Sequence, residues 1–207
     1  MTRTGDHLTD VLQPVRDLNL ARILEEIALA TGQNYDCEAD VAMREADGSL
    51  FRTGTMRLPR RRDIQAKKGA RVFFFDVTDR HAVNFEPFNY DLPGGPSVHI
   101  KPFQWNDVSI RFVMQDDEPS WDPIRRWYLE AFQTRFDEDT PEFHGTVHSL
   151  VGPERIRGFW HIGLDLGSAP VESLRELLEV LGGMGAAKLQ LTSMGPDITV
   201  DQDAPQD

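Results

Sequence analysis

The feature that most constrains this chain is a succession of hydrophobic periodicities between residues 108 and 192. VSIRFVM, residues 108–114, alternates Val108, Ile110, Phe112 and Met114 with Ser109 and Arg111, the period of two that a strand with one buried face requires. Asp122 and Pro123 then open a run in which Ile124, Trp127, Tyr128, Ala131 and Phe132 recur at helical spacing. EFHGTVHSLVGPERIRGFWHIGLD, residues 142–165, alternates again on both sides of the turn signal GPER, residues 152–155. Ser168 stands as the cap of a second helix with Leu174, Leu177, Leu178 and Leu181 on one stripe, closed by Gly182 and Gly183. AAKLQLT, from Ala186, supplies a last strand.

The order strand, helix, strand, strand, helix, strand is the split βαβ pattern called ferredoxin-like. It predicts a four-stranded antiparallel sheet with both helices on one face. Many unrelated functions share this topology, so it assigns none of them.

Upstream, LNLARILEEIALAT (residues 18–31) places Leu20, Ile23, Leu24 and Ile27 on one helical stripe, with Gly32 as the stop. Alternation around Asp47 and Gly48 predicts a hairpin. RLPRRRDIQAKKGAR, residues 57–71, reads as a charged linker with Asp63 as its single acid. ARVFFFDV, residues 70–77, reads as a strand covered on both faces, and AVNFEPF and PSVHIKPFQW as two more around the rigid turn LPGGP. Pro102 confines the second of these to an edge or a bulge. The expected class is therefore α+β: an N-terminal helix and antiparallel meander over 1–106, a ferredoxin-like βαββαβ unit over 107–193, and an acidic disordered tail over 194–207. The two halves can form one domain.

Composition narrows the function classes. The net charge of −12 repels a polyanion, which argues against nucleic acid and for a basic protein partner. No apolar run reaches the ~20 residues of a membrane span, and MTRTGDHLTD lacks a signal-peptide stretch, so the expected compartment is the cytoplasm. Cys37 is the only cysteine. That excludes an intrachain disulfide and a thiolate metal cluster, and its alternation with Ala39, Val41 and Met43 predicts a buried thiol.

Three of the six histidines, His144, His148 and His161, lie in the segment 142–165. With a turn at 152–155, side-chain parity places Glu142, His144, Thr146, His148, His161 and Asp165 on one polar sheet face with Arg111, Lys188, Gln190 and Thr192. On a strand, His144 and His148 stand about 13 Å apart, too far for one ion with bonds of about 2.0 Å. No metal and no cofactor is therefore expected. His144-Gly145-Thr146 resembles one His-x-Thr element of the two-histidine phosphoesterases, but the second element such chemistry needs is found only at His7–Thr9, in the N-terminal segment. There is no Gly-x-Ser-x-Gly elbow and no phosphate-cradling loop. Asp76, Asp79 and His81, after the strand 70–77, are the remaining acid/base trio, read first as a capped turn.

Trp127 and Trp160 have core periodicity, whereas Phe88, Tyr90, Phe103 and Trp105 flank the Pro-rich loop without one. These four are the expected exposed anchors of a protein interface. The sequence thus favours an acidic cytoplasmic protein-binding module, an inhibitor or immunity-type protein for a basic partner, without catalytic residues. The competing expectation is an enzyme or small-anion binder that uses Arg111, His144, His161 and Asp165 on the polar sheet face.

Overall fold

The computed structural model describes residues 7–77, 83–117, 119–134 and 140–193. Helix α1 (His7–Gly32) precedes β1 (Asp36–Ala42), β2 (Arg52–Thr53), β3 (Leu58–Pro59), β4 (Arg61–Lys68), β5 (Arg71–Phe75), β6 (Phe88–Asp91) and β7 (Ser97–Ile100). The second half runs β8 (Val108–Met114), α2 (Asp122–Ala131), β9 (Ser149–Ile156), β10 (Phe159–Asp165), α3 (Val171–Gly183) and β11 (Ala186–Ser193). The protein is mixed α and β, with an N-terminal helix and largely antiparallel sheets. No helix among the described residues is long and apolar enough to cross a membrane.

The larger sheet has six strands in the order β6-β7-β11-β8-β10-β9, and β11 runs parallel to β7 while antiparallel to β8. This corrects the expected free-standing, all-antiparallel four-stranded sheet. Two strands from the first half extend it, and their pairing with β11 makes it mixed. The extension buries Val98 and Ile100 completely beside Leu189 and Leu191, apolar surface that a separate meander would have had to bury elsewhere. Val108, Ile110 and Phe112 of β8 point into the same core as Ile124, Trp127 and Tyr128 of α2 and Leu174, Leu177, Leu178 and Leu181 of α3, as their periodicities require.

The smaller sheet, β1-β4-β5, is antiparallel. Ile64 of β4 and Ala39 of β1 meet Leu20 and Ile23 of α1 in a second core cluster. The segment 57–71 is therefore not a linker: β4 runs through it, and Asp63, Ile64, Gln65 and Ala66 are all buried. The alternation around Asp47 yields a short turn, in which the antiparallel Arg44–Leu50 bridge is flanked by the Glu45 amide on the Ser49 carbonyl and the Phe51 amide on the Met43 carbonyl, while β1 takes β4 as its long partner. Cys37 is half-buried at the margin of the second cluster.

β5 departs furthest from expectation. It is the outer strand of its sheet, and Val72, Phe73 and Phe74 are exposed at 47%, 46% and 46%. An unbroken apolar run signals burial on both faces only when both are covered by the same chain, and here the described residues leave this strand open.

Phe103 and Trp105, expected as exposed anchors, are instead 0% and 1% exposed. Their rings stack at 6.2 Å between centroids, and both belong to the main core. Phe88 and Tyr90 are half-buried against that core. Pro-rich flanks hid the periodicity of these residues, because the chain turns between β7 and β8 and inserts them from a loop. The tail 194–207, Asp79 and His81 lie outside the described residues.

Candidate functional site

His148 sits completely buried at the junction of the two sheets, and four segments deliver carboxylates and a hydroxyl around its ring. The expected hairpin turn at 152–155 lies at Arg157–Gly158 instead, so Phe159 pairs with Ile156 and His161 with Glu154. β9 accordingly begins only at Ser149, and residues 144–148 are irregular. His148 is thereby released from the sheet parity that would have turned it to solvent. Its amide donates to the Asp165 carbonyl at 3.0 Å, and its own carbonyl accepts from the Arg61 amide at 2.9 Å, tying β10 to β4.

Three aspartates surround the imidazole. Asp40 of β1 has a left-handed φ of 52°, a strained conformation inside a strand that Asp tolerates better than most residues. Its Oδ1 accepts from His148 Nε2 at 2.6 Å. Its Oδ2 accepts from the Ser168 hydroxyl at 2.6 Å and from the His144 amide at 2.6 Å. On the other side of the ring, Asp63 Oδ1 of β4 lies 2.9 Å from Nδ1, and Asp165 Oδ2 at the end of β10 lies 3.9 Å from it. The outer oxygens of these two carboxylates are held by backbone: Asp63 Oδ2 accepts from the Val77 amide at 2.7 Å, and Asp165 Oδ1 from the Gly167 amide at 2.9 Å.

The ring is clamped over its face as well. Gly167, with φ of +53°, lies so close that a Cβ there would come within 2.2 Å of His148 Cδ2. Buried polar side chains of α1 hold this turn: Arg16 donates to the Ser168 and Ala169 carbonyls and Asn19 to the Gly167 carbonyl. Ser168, expected as a helix cap, thus serves the carboxylate network, while Pro170 occupies the N-cap of α3. From below, the Tyr128 hydroxyl lies 2.6 Å from the Pro59 carbonyl and 3.2 Å from that of His148.

Burial alone would depress the His148 pKa, but contacts with Asp40 and Asp63 and the nearby Asp165 charge carry it well above its usual 6.5. For Asp40, burial acts upward, and the hydrogen bonds from His148, Ser168 and the His144 amide outweigh it and hold the carboxyl below its usual range. Asp165 is pushed up to about 7, first by loss of hydration and then by the neighbouring Asp63 and Asp76 carboxylates, against the pull of His148. Its side chain retains 21% exposure, against 0% for Asp40 and 1% for Asp63.

Of the residues expected to share one polar face, the structure places His161 and Gln190 on either side of Arg111 and gathers His144, His148 and Asp165 elsewhere, around Asp40 and Asp63. Arg111 donates to Gln190 and covers the Phe159 ring. Its positive charge and partial burial lower the His161 pKa, burial being the larger cause. Asp165 and His144 belong to the buried cluster, so the anion-binding constellation is not assembled. Asp76, at the end of the small sheet, is engaged by Arg62 Nε at 2.9 Å.

No protein-family model, curated protein or solved structure matches this chain. The second notable surface is a groove of about 420 Å³ beside β5, lined by Leu29 and Ala30 of α1 together with Tyr35, Ala66, Phe73 and Phe75. Leu29 at its rim is 62% exposed. The sequence contained signals for both features in Asp63, a lone acid in a cationic run, and in the aromatic triplet 73–75.

Proposed function

We propose that this chain is a cytoplasmic protein-binding module that takes up an extended segment of its partner along the open edge of β5. The observation that carries the reading is the exposure of Val72, Phe73 and Phe74 together on a strand that pairs on one side only among the described strands. Natural sheets guard such edges with charge, proline or a covering element, and strand addition supplies the same cover from a partner. Alternate partner side chains would reach the groove beside Phe73 and Phe75 or lie against Val72 and Phe74 on the other face.

The charge of the partner follows from the immediate surroundings of β5. A net charge of −12 acts at long range, but one end of the edge carries exposed Lys67, Lys68 and Arg71, set against Asp36 opposite Lys67 and Glu26 in the groove lining. The fitting occupant is an apolar, extended protein segment with acidic residues at the end that meets these cations. A basic partner suits the rest of the surface less specifically, and an inhibitory role adds nothing to this contact. The strand order β11-β8-β10-β9, with α2 and α3 in its two crossovers, supports reading residues 108–193 as a ferredoxin-like unit widened by β6 and β7.

The test is the V72K/F74K chain, whose substitutions place charge on an already exposed strand and leave both cores intact. Affinity capture from native lysate with the unaltered chain should yield a stoichiometric partner that the variant, folded by circular dichroism, fails to retain. Capture of the same proteins by both chains would refute the reading.

A further inference from the structure

We propose that Asp63 Oδ1, His148 Nδ1 and Asp165 Oδ2 form a three-ligand site for a first-row transition dication of the zinc type, completed by water from the side on which Asp165 is exposed. Asp63, His148 and Asp165 each offer a ligand atom within 4.8 Å of those of the other two. Each belongs to a group whose other polar atom is already engaged. Asp63 Oδ2 and Asp165 Oδ1 accept backbone amides, and His148 Nε2 donates to Asp40. The carboxylate–imidazole pair is the arrangement that fixes a ligating histidine's tautomer and raises its basicity.

The convergent atoms themselves are left over. Asp63 Oδ1 and His148 Nδ1 are buried and have no hydrogen-bond partner among the described residues, although they stand 2.9 Å apart. Their separation is that of an ion pair when the ring is protonated; with Nδ1 bare, two lone pairs face each other and no hydrogen joins them. The separation also suits two ligands of one ion: bonds of about 2.0–2.1 Å meeting at tetrahedral or octahedral angles put neighbouring donor atoms about 2.9–3.4 Å apart. Asp165 Oδ2, at 3.9 Å from Nδ1, has to close by about half an ångström, and it is the ligand with solvent beside it.

Charge points the same way. Asp40, Asp63 and Asp165 surround a single imidazole, while Arg62 is taken up by Asp76 and Arg61 donates to the Phe132 and Asp40 carbonyls. One imidazole nitrogen and two carboxylates select a transition dication over calcium or magnesium, which prefer all-oxygen sites. The ligands come from β4, from the segment before β9 and from the end of β10, so the ion would join the small sheet to the large one.

The experiment titrates the chelator-treated full chain with zinc chloride by calorimetry at neutral pH. One zinc per chain is expected, with a rise in the thermal unfolding midpoint and no displacement by a hundredfold excess of magnesium. Asp165→Asn should weaken binding at least tenfold, while His161→Gln and His99→Gln leave it unchanged. On the unaltered chain, nitrogen NMR spectra of the imidazole rings should show zinc moving His148 Nδ1. Absence of zinc binding, binding that survives Asp165→Asn, or binding that disappears with His161→Gln instead would each overturn the proposal. A zinc-independent His148 resonance would do so even if the Asp165 variant failed to fold.

Discussion

Gly167→Ala tests whether the His148 ring is held as rigidly as the geometry requires. The new methyl carbon would meet the ring at 2.2, 2.4 and 2.5 Å, distances that real side chains do not adopt. The ring cannot yield, because Nε2 is fixed to Asp40 at 2.6 Å. Two costs add. A left-handed φ of +53° at a non-glycine residue costs about 1–2 kcal/mol, and forcing a carbon into a filled site costs about 1–3 kcal/mol. Loss of the charge-assisted bond to Asp40 would add about 1.5–3 kcal/mol if the ring is expelled. With the ring retained, the expected destabilisation is about 2–5 kcal/mol. Gly158→Ala isolates the first cost, since Gly158 has φ of +84° but nothing within 4 Å of its would-be Cβ, and it should lose only about 1–2 kcal/mol. Urea unfolding followed by tryptophan fluorescence reads both. With a slope of about 2 kcal/mol per molar urea, Gly167→Ala should shift the midpoint by about 2 M and Gly158→Ala by less than about 1 M. Equal shifts for the two variants would show that the ring moves freely, and the description of a clamped histidine would fall.

Two further outcomes follow from the same cluster. Tyr128→Phe removes the hydroxyl that serves the Pro59 and His148 carbonyls and should cost about 1–2 kcal/mol in urea unfolding, with a cost below about 0.3 kcal/mol arguing against a role for that hydroxyl. For the metal-free chain, Asp165 keeps its proton in the fold up to about pH 7 while the unfolded chain releases it near 3.8, so its contribution to stability is lost as pH rises between those values. His148, raised above 6.5, extends the loss to higher pH, whereas Asp40, lowered below 3.8, loses its contribution only on acidification. Urea midpoints should therefore fall between pH 4.5 and 7.5 and fall less in Asp165→Asn; a rise over this interval would contradict the assigned shifts.

The elements of the second half were legible because each obeys a single period. β8, α2 and α3 bury the residues their spacing selects, such as Ile110, Trp127 and Leu177. What spacing could not convey is pairing between distant segments. Nothing in PSVHIKPFQW announces that Val98 lies beside Leu189, nor that β1 takes β4 rather than its neighbour across Asp47. The site was half legible for the same reason. Asp165 and His144 were singled out, but parity assigned them to the wrong surroundings, since a hairpin turn displaced toward Arg157 removes residues 144–148 from the strand. Asp40 and Asp63 come from strands more than eighty residues upstream, and no local pattern links them to His148. Phe103 and Trp105 show the converse error, in which residues without periodicity fill the core from a loop.

The placement of β11 bears on how the protein is made. It lies third in the six-stranded sheet, with β7 on one side and β8 on the other, yet it is the last described strand to leave the ribosome. β7 and β8 follow one another in the chain but each must wait, one edge open, until residues 186–193 arrive to sit between them. The large sheet therefore closes only after its central strand has been synthesised. Until then the nascent chain carries open apolar edges in need of protection, and a ribosome stalled before residue 186 would leave a product unable to complete its core.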